Sequence, residues 1–340
     1  MASVALGKFV EVIGLLSSGL GLDNFAPNEE TGSVVKISVG LDGNGLSEAG
    51  GDLPDVRLFN NFGEFLGLAV DTGTIGDGST GEVKVAHSDG QQAAYTLFSA
   101  NGNAICIATA SITWADGSQY GWHGDWAQEC LYDWYYSNIF ISGTSKQPKC
   151  LWIDANGDRP YTGFQIHWPA FAPTIPPNLR SPDDEKVTEI TVADICSGGP
   201  AFRAVKTIFA TPSPRRSVSR LFKRAPKPAT TKFTPIPRFA ATNSTNSTSH
   251  SSRSKFKDLI ILDHNPNHSA RELCESLTSR GPDFASYVES LFCRMSDKTL
   301  WPFCDNNTRT QCFSIESKQI ITGQVKALSG AVKKYAKVIT

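Results

Sequence analysis

The chain has 340 residues, and its 32 Lys/Arg and 33 Asp/Glu leave a formal net charge of −1. A length of this order predicts about two domains, and the 40% hydrophobic content excludes a wholly disordered chain. No apolar run approaches the roughly 18 residues that a membrane-spanning helix needs, so we expect no membrane span.

The first segment, "MASVALGKFVEVIGLLSSGLGL", carries apolar residues at helical spacing. We predict an amphipathic helix there, with an apolar face formed by Phe9, Val10, Ile13, Leu16 and Leu20. Lys8 and Glu11 interrupt the apolar region that a conventional signal peptide would need, so none is predicted.

The residues that follow contain short segments with a period of two, such as "VVKISVGL", "EVKVAH" and "AICIATASITW". Turn signals separate these segments at Asn101-Gly102, Asp116-Gly117 and Asn156-Gly157. The segment "DVRLFNNFGEFLGLAV" is predicted as a hairpin about Asn61 to Gly63. We therefore expect residues 1–205 to form the N-terminal helix and a mostly β domain, an antiparallel β-sandwich or barrel.

Aromatic residues are concentrated in "YGWHGDWAQECLYDWYYSN", residues 120–138. Ligand sites combine apolar and aromatic faces with a few polar groups, and sugar-binding surfaces need flat rings. The residues selected on this basis as ligand-binding candidates are Trp122, Asp125, Trp126, Trp134 and Tyr135. Trp122 and Trp126 flank Gly124 in a predicted loop and are expected to be exposed. The alternative is that the rings fill the core beside Cys130.

Catalytic and metal candidates in this part are few. His123, Asp125 and His167 are the candidate catalytic residues, but no nucleophile motif or phosphate-binding loop accompanies them. The segment "DANGD" offers oxygen ligands at Asp154, Asn156 and Asp158, in the pattern of a calcium loop. Arg159 stands where that loop needs Gly, so an Asn-Gly hairpin turn is the favoured alternative. No cofactor is expected.

Residues 206–257, here called the linker, contain 12 Lys/Arg, six Pro and no acidic residue. The remaining 20 Lys/Arg and 33 Asp/Glu give the rest of the chain a net charge of −13. This composition predicts a solvated, disordered linker rather than a nucleic-acid-binding segment. The pair Lys223-Arg224 within it resembles a cleavage site for a kexin-type protease, which would be a processing partner.

Cysteines and glycosylation signals indicate a secretory protein. Four cysteines precede the linker and four follow it: Cys106, Cys130, Cys150 and Cys196, then Cys274, Cys293, Cys304 and Cys312. Each half can therefore close two disulfides, and three pairings are possible in each half. N-x-[ST] sequons lie at Asn243, Asn246, Asn267 and Asn306. We therefore expect a secreted, extracellular glycoprotein.

Residues 258–325 show helical rather than β periodicity. Ser269 and Glu272 form a capping-box pattern, and "GPDFASYVESLFCRM" places Pro282 at an early helical position. We predict a small, disulfide-bonded α-helical domain, followed by a basic tail over residues 326–340.

Several segments resemble a known set of proteins. These are "DLPDVRLFNNFGEFLG", "YGWHGDW", "GFQIHWPAF" and "LCESLTSRGPDFASYVESLFCRMSDKTLWPFC". They are similar to predicted secreted proteins of filamentous ascomycete fungi that have the same two-part layout around a linker. The resemblance implies compartment and class of organism, but no activity.

Three functions are consistent with these patterns. The first is a secreted, non-enzymatic module that binds cell-wall or cell-surface glycans. The second is an extracellular hydrolase or metabolite-modifying enzyme without a recognisable motif. The third is a precursor whose cleavage releases a C-terminal toxin or effector fragment.

Overall fold

The computed structural model describes residues 32–40, 49–87, 90–157, 159–172, 192–197, 199, 201–208, 256–322 and 334–340. The predicted N-terminal helix, Asp158, Lys223, Arg224, Asn243 and Asn246 lie outside the described residues. We call residues 32–208 the N-terminal part and residues 256–340 the C-terminal part.

The strands of the N-terminal part are β1 (Gly32–Val39), β2 (Gly51–Asp52), β3 (Asp55–Phe59), β4 (Phe65–Ala69), β5 (Thr74–Ile75), β6 (Thr80–Ala86), β7 (Tyr95–Ser99), β8 (Ile105–Thr113), β9 (Gln119–His123), β10 (Trp134–Tyr136), β11 (Lys149–Ile153), β12 (Gly163–His167) and β13 (Phe202–Val205). Its helices are α1 (Asp125–Glu129), a 3-10 helix (Trp168–Phe171) and α2 (Val192–Cys196). The C-terminal part contains β14 (Leu259–Asp263), α3 (Ala270–Glu275), β15 (Asp283–Ser286), β16 (Leu291–Arg294), β17 (Thr299–Pro302), β18 (Cys312–Ser314), β19 (Gln319–Ile321) and β20 (Lys337–Ile339).

Two antiparallel sheets make up most of the N-terminal part. One has the order β10-β11-β8-β1-β6, with β9 paired to β8, and the other has the order β13-β12-β7-β3-β4. Val35, Ile37 and Val39 alternate along β1 and are fully buried, in the same cluster as Phe98 and Phe164 of the second sheet. Burying side chains of this size contributes roughly 1.5–3 kcal/mol each. The expectation of mostly antiparallel β structure is confirmed.

The C-terminal part is also built mainly on a sheet, so the prediction of a small helical domain is wrong. Its sheet has the order β17-β16-β15-β14-β20, with β14 parallel to both β15 and β20. The segment predicted as a second helix forms β15 and β16 instead, and Ser290 adopts φ 54° in the turn between them. Phe284 pairs with Cys293 across this hairpin, and pairing of β15 with β14 prevails over the helical spacing.

The helix signal at Ser269 is confirmed. Its side chain accepts a hydrogen bond of 3.0 Å from the backbone N–H of Glu272, at the first turn of α3. The second half of a capping box is missing, because the backbone N–H of Ser269 donates to the hydroxyl of Tyr136 in the N-terminal part. The Glu272 carboxylate accepts hydrogen bonds from Gln128 and Tyr136 of the N-terminal part.

All eight cysteines form disulfides, two in each part. The pairs are Cys106–Cys150, Cys130–Cys196, Cys274–Cys293 and Cys304–Cys312. The expectation of two bridges per half is confirmed, and no bridge joins the two parts. Four disulfides are typical of a chain that folds in an oxidising compartment. Among the described residues, no helix has the length and apolar character needed to cross a membrane.

The two parts share a hydrophobic core. One buried cluster contains Trp134 and Trp152 of the N-terminal part together with Leu273 and Phe284 of the C-terminal part. The backbone of Trp134 also bridges to Ser279 in parallel β fashion. A contact of this kind normally lies inside one folded unit, and here it joins the C-terminal part to the edge strand β10 of the first sheet.

Candidate functional site

The aromatic segment that was predicted to bind a ligand is buried. Trp122, Trp134 and Tyr135 are 0% exposed and Trp126 is 1% exposed, so the exposure expected for Trp122 and Trp126 is wrong. Gly124 lies between them because it packs closely against β11, where a Cβ atom would come 2.8 Å from the Cα of Cys150. A glycine is present here because the backbone lies so close to β11, and it does not indicate an open loop. None of these four rings offers a face to a ligand in solution.

Part of this segment instead holds the C-terminal part. The indole N–H of Trp134 donates to the hydroxyl of Ser276 (3.1 Å), and the hydroxyl of Tyr135 donates to the carbonyl of Pro282 (3.3 Å). Buried Trp and Tyr side chains need such partners for their polar atoms. The predicted binding surface is therefore occupied by the protein's own chain.

Asp125 lies in a buried ion-pair network beside this surface. Its carboxylate is 3.2 Å from Nδ1 of His123 and 3.4 Å from Nζ of Lys146, and it accepts a hydrogen bond from the backbone N–H of Lys149. Burial raises the pKa of the Asp125 carboxyl, but the contacts with His123, Lys146 and Lys149 outweigh burial and lower it well below its usual value. His123 is 0% exposed, so this pair cannot reach a substrate and its contact is structural.

The other histidines of the N-terminal part are also buried. His167 is 0% exposed, and its Nε2 lies 3.2 Å from the side-chain oxygen of Asn61. Ser33 lies 2.8 Å from Nε2 of His87, which resembles a serine–histidine dyad. Ser33 is only 1% exposed, so a substrate cannot reach its hydroxyl.

The described residues of the segment "DANGD", residues 154–157, form a turn. The Asp154 carboxylate accepts hydrogen bonds from the backbone N–H groups of Asn156 and Arg159, both at 3.2 Å. Gly157 has φ 94°, as an Asn-Gly turn requires. Within the described part of the chain, no group of three or more His, Cys, Asp or Glu is arranged to hold a metal ion.

The hairpin between β3 and β4 presents a different surface, which we call the hairpin tip, residues 60–65. The sequence predicts this hairpin, and the structure confirms its turn between Asn60 and Glu64. Phe62 at its apex is 83% exposed and Phe65 is 58% exposed. Asn61 and Glu64 are exposed beside these rings. Two open aromatic rings with adjacent polar groups have the composition of a ligand-binding surface.

Asn60 fixes the conformation of the tip. Its side-chain oxygen accepts hydrogen bonds from the backbone N–H groups of Phe62 (2.9 Å) and Glu64 (3.0 Å), and its side-chain N–H₂ donates to the Glu64 carboxylate (2.6 Å). Gly63 supplies φ 83°. A turn braced in this way loses little conformational entropy on binding.

The base of the tip rests on buried aromatic side chains. Phe59 packs edge-to-face against Phe65 with ring centroids 5.8 Å apart. Nε2 of His167 donates to the Asn61 amide oxygen, since that oxygen can only accept, and the His167 ring packs against Tyr95 at 4.4 Å. The predicted catalytic residue His167 therefore positions the hairpin tip.

Sequence reasoning found this hairpin but missed its exposed rings. The available signal was Phe62 itself, an aromatic residue between Asn61 and Gly63 in a turn, where no neighbouring strand can cover it. Such isolated exposure becomes informative when a second exposed ring, here Phe65, belongs to the same hairpin tip. Comparison with protein-family models, with curated proteins and with solved structures gives no match for this chain.

Proposed function

We propose that the chain is a secreted, non-enzymatic protein that binds cell-wall or cell-surface glycans through the hairpin tip. The observation that carries this proposal is the pair of exposed rings, Phe62 and Phe65, on a turn braced by Asn60. Sugar rings present flat apolar faces edged with hydroxyls. The two phenyl rings supply stacking faces, and Asn61 and Glu64 supply hydrogen-bonding groups beside them.

Secretion, fungal origin and glycosylation are parts of the same proposal. The four disulfides support an oxidising compartment. The sequons at Asn267 and Asn306 lie on exposed residues, where an attached glycan would meet solvent. The resemblance to secreted proteins of filamentous fungi agrees with this compartment.

The two alternative functions have less support. A hydrolase needs a nucleophile and a base that a substrate can reach, whereas His123, His167 and Ser33 are all closed to solvent. Release of a C-terminal toxin after cleavage at Arg224 would require the shared core around Trp134 and Phe284 to separate. Cleavage by a kexin-type protease remains part of the proposal, but with both parts remaining associated.

A pulldown on chitin, β-glucan and intact fungal cell walls tests the proposed function. The key variant is Phe62→Ser, and the matched control is Phe140→Ser, because Phe140 is also exposed (62%) but lies on the loop after β10. Loss of one stacking ring should weaken binding by about 1.5 kcal/mol, about tenfold. Phe140→Ser should bind as the unmodified protein does.

Two outcomes would overturn the proposal. If the unmodified protein is retained on none of the three materials, the chain is not a glycan-binding module of this kind. If the protein is retained but Phe62→Ser is retained equally well, the hairpin tip is not the binding surface.

A further inference from the structure

A cavity of about 160 Å³ lies between the N-terminal and C-terminal parts. Arg159, which follows β11, lines it from the N-terminal side. Residues 256–257, 279–281 and 295–296 line it from the C-terminal side. The volume is below the range of roughly 300–1,000 Å³ that drug-sized ligands need, and it is close to the roughly 150 Å³ of a cavity that holds benzene. The cavity can therefore take a ligand of about one ring.

Positive charge predominates in the lining of this cavity. Among the lining residues, Arg159, Lys257 and Arg280 contribute three cations and Asp283 one carboxylate, while the carboxylate of Asp133 lies beside Arg280 outside the lining. One oxygen of the Asp283 carboxylate accepts a hydrogen bond from the backbone N–H of Met295 (2.8 Å), and the other accepts one from the hydroxyl of Tyr335 (2.7 Å). An excess of cations in a concave site attracts an anion.

Both guanidinium groups are held in place. The guanidinium carbon of Arg159 lies 5.1 Å from the ring centroid of Trp152 and 4.9 Å from that of Phe256, which places the group against two aromatic rings. Nε of Arg280 lies 3.5 Å from the carboxylate of Asp133. Planar guanidinium groups fixed in this way are suited to binding a carboxylate through paired hydrogen bonds.

A neighbouring lysine, Lys298, has a pKa that is lowered mainly by burial and also by the charge of Arg280. Nζ of Lys298 donates to the backbone carbonyls of Leu273 (3.0 Å) and Ser279 (2.9 Å), behind the cavity wall. Burial, followed by the charge of Arg280, lowers the pKa of the Lys298 ammonium to about 8, although Asp133 acts in the opposite direction. The charge of Arg280 thus contributes at Lys298, although burial is the larger cause.

We propose that this cavity binds a small organic carboxylate with a single ring. Lys257, Arg159 and Arg280 bind the carboxylate group, and Phe256 and Met295 contact the apolar body of the ligand. This site is separate from the hairpin tip, so it adds a second ligand to a protein whose proposed function is glycan binding.

Titration calorimetry on the full chain tests the proposal, with benzoate as the probe. Benzamide has nearly the same shape without the charge, and sulfate carries charge without a ring. Benzoate should bind saturably, whereas benzamide and sulfate should bind at least about tenfold more weakly. A change in the intrinsic tryptophan fluorescence provides a second readout, because Trp152 lies against Arg159.

The variant Lys257→Gln removes one cation from an exposed residue, so folding should be retained. It should weaken benzoate binding about tenfold, as loss of one charge-assisted hydrogen bond does. The matched control is Lys84→Gln, an exposed lysine on β6 that does not line the cavity. Absence of saturable benzoate binding at about 10 mM, equal binding of benzamide or sulfate, or unchanged binding by Lys257→Gln would each overturn the proposal.

Discussion

Gly281 offers a sharp test of how the two parts are joined. A Cβ atom at this residue would lie 2.7 Å from Cζ of Tyr135 and closer still to two other atoms of the ring. The ring cannot move aside easily, since Tyr135 is 0% exposed and its hydroxyl donates to the carbonyl of Pro282. We therefore predict that Gly281→Ala loosens the contact between the parts.

The expected magnitude follows from overpacking. Inserting one methyl group into a well-packed core typically costs about 1–3 kcal/mol. If the two parts are separate chains, this cost corresponds to an association roughly five- to 150-fold weaker. In the uncut chain the same cost should appear as a lower melting temperature.

The assay uses a chain that carries a specific protease site within residues 209–255 and an affinity tag on the N-terminal part. After cleavage, retention of the C-terminal part on the tag is measured at increasing dilution and increasing urea. The unmodified protein should retain it, and Gly281→Ala should release it at lower urea. Gly102→Ala is the control, because a Cβ atom there meets nothing within 4 Å. Equal retention by Gly281→Ala, or immediate separation of the unmodified parts, would refute the reasoning.

Three further predictions concern the same molecule. Burial raises the pKa of the Glu272 carboxyl, but Lys149 and neighbouring hydrogen bonds outweigh burial and hold it below its usual value of 4.5. The stabilising effect of the carboxylate is therefore complete above about pH 4.5 and lost as the pH falls further. Glu272→Gln should have a lower melting temperature than the unmodified protein at pH 7, and this difference should shrink in acid. The exposed control Glu275→Gln should melt at the same temperature as the unmodified protein. A difference for Glu272→Gln that does not depend on pH would contradict this. Protein cut in the linker should run as two bands on a non-reducing denaturing gel, since each part closes its own disulfides, and a single band would contradict the pairing. Asn60→Ala should reduce glycan retention as much as Phe62→Ser does, because the turn loses three hydrogen bonds; full retention would show that the tip needs no bracing.

The sheets of the N-terminal part could be predicted because their signals are local. Val35, Ile37 and Val39 alternate within one strand, and Asn-Gly pairs mark turns next to the strands they join. The number of disulfides per half could also be predicted, because it depends only on where the linker divides the cysteines. The pairing within each half could not, because it depends on which strands lie side by side.

The C-terminal part shows where such reasoning fails. The apolar residues between Phe284 and Phe292 suit either a helical face or two short strands. Pairing with β14 favours the strands. Because β14 lies more than 20 residues before β15 in the chain, this pairing leaves no signal in the local sequence. The burial of Trp122 was missed for a similar reason, since Gly124 resembles a loop residue until its contact with β11 is known.

The bracing of the hairpin tip has a consequence for how the protein can diverge. Asn60 uses both its amide oxygen and its amide nitrogen to hold the turn. The oxygen accepts hydrogen bonds from the backbone N–H groups of residues 62 and 64, not from their side chains. The side chain of Phe62 takes no part in that scaffold. The residue at the apex can therefore change without altering the shape of the loop, so selection can explore new specificities at little cost in stability.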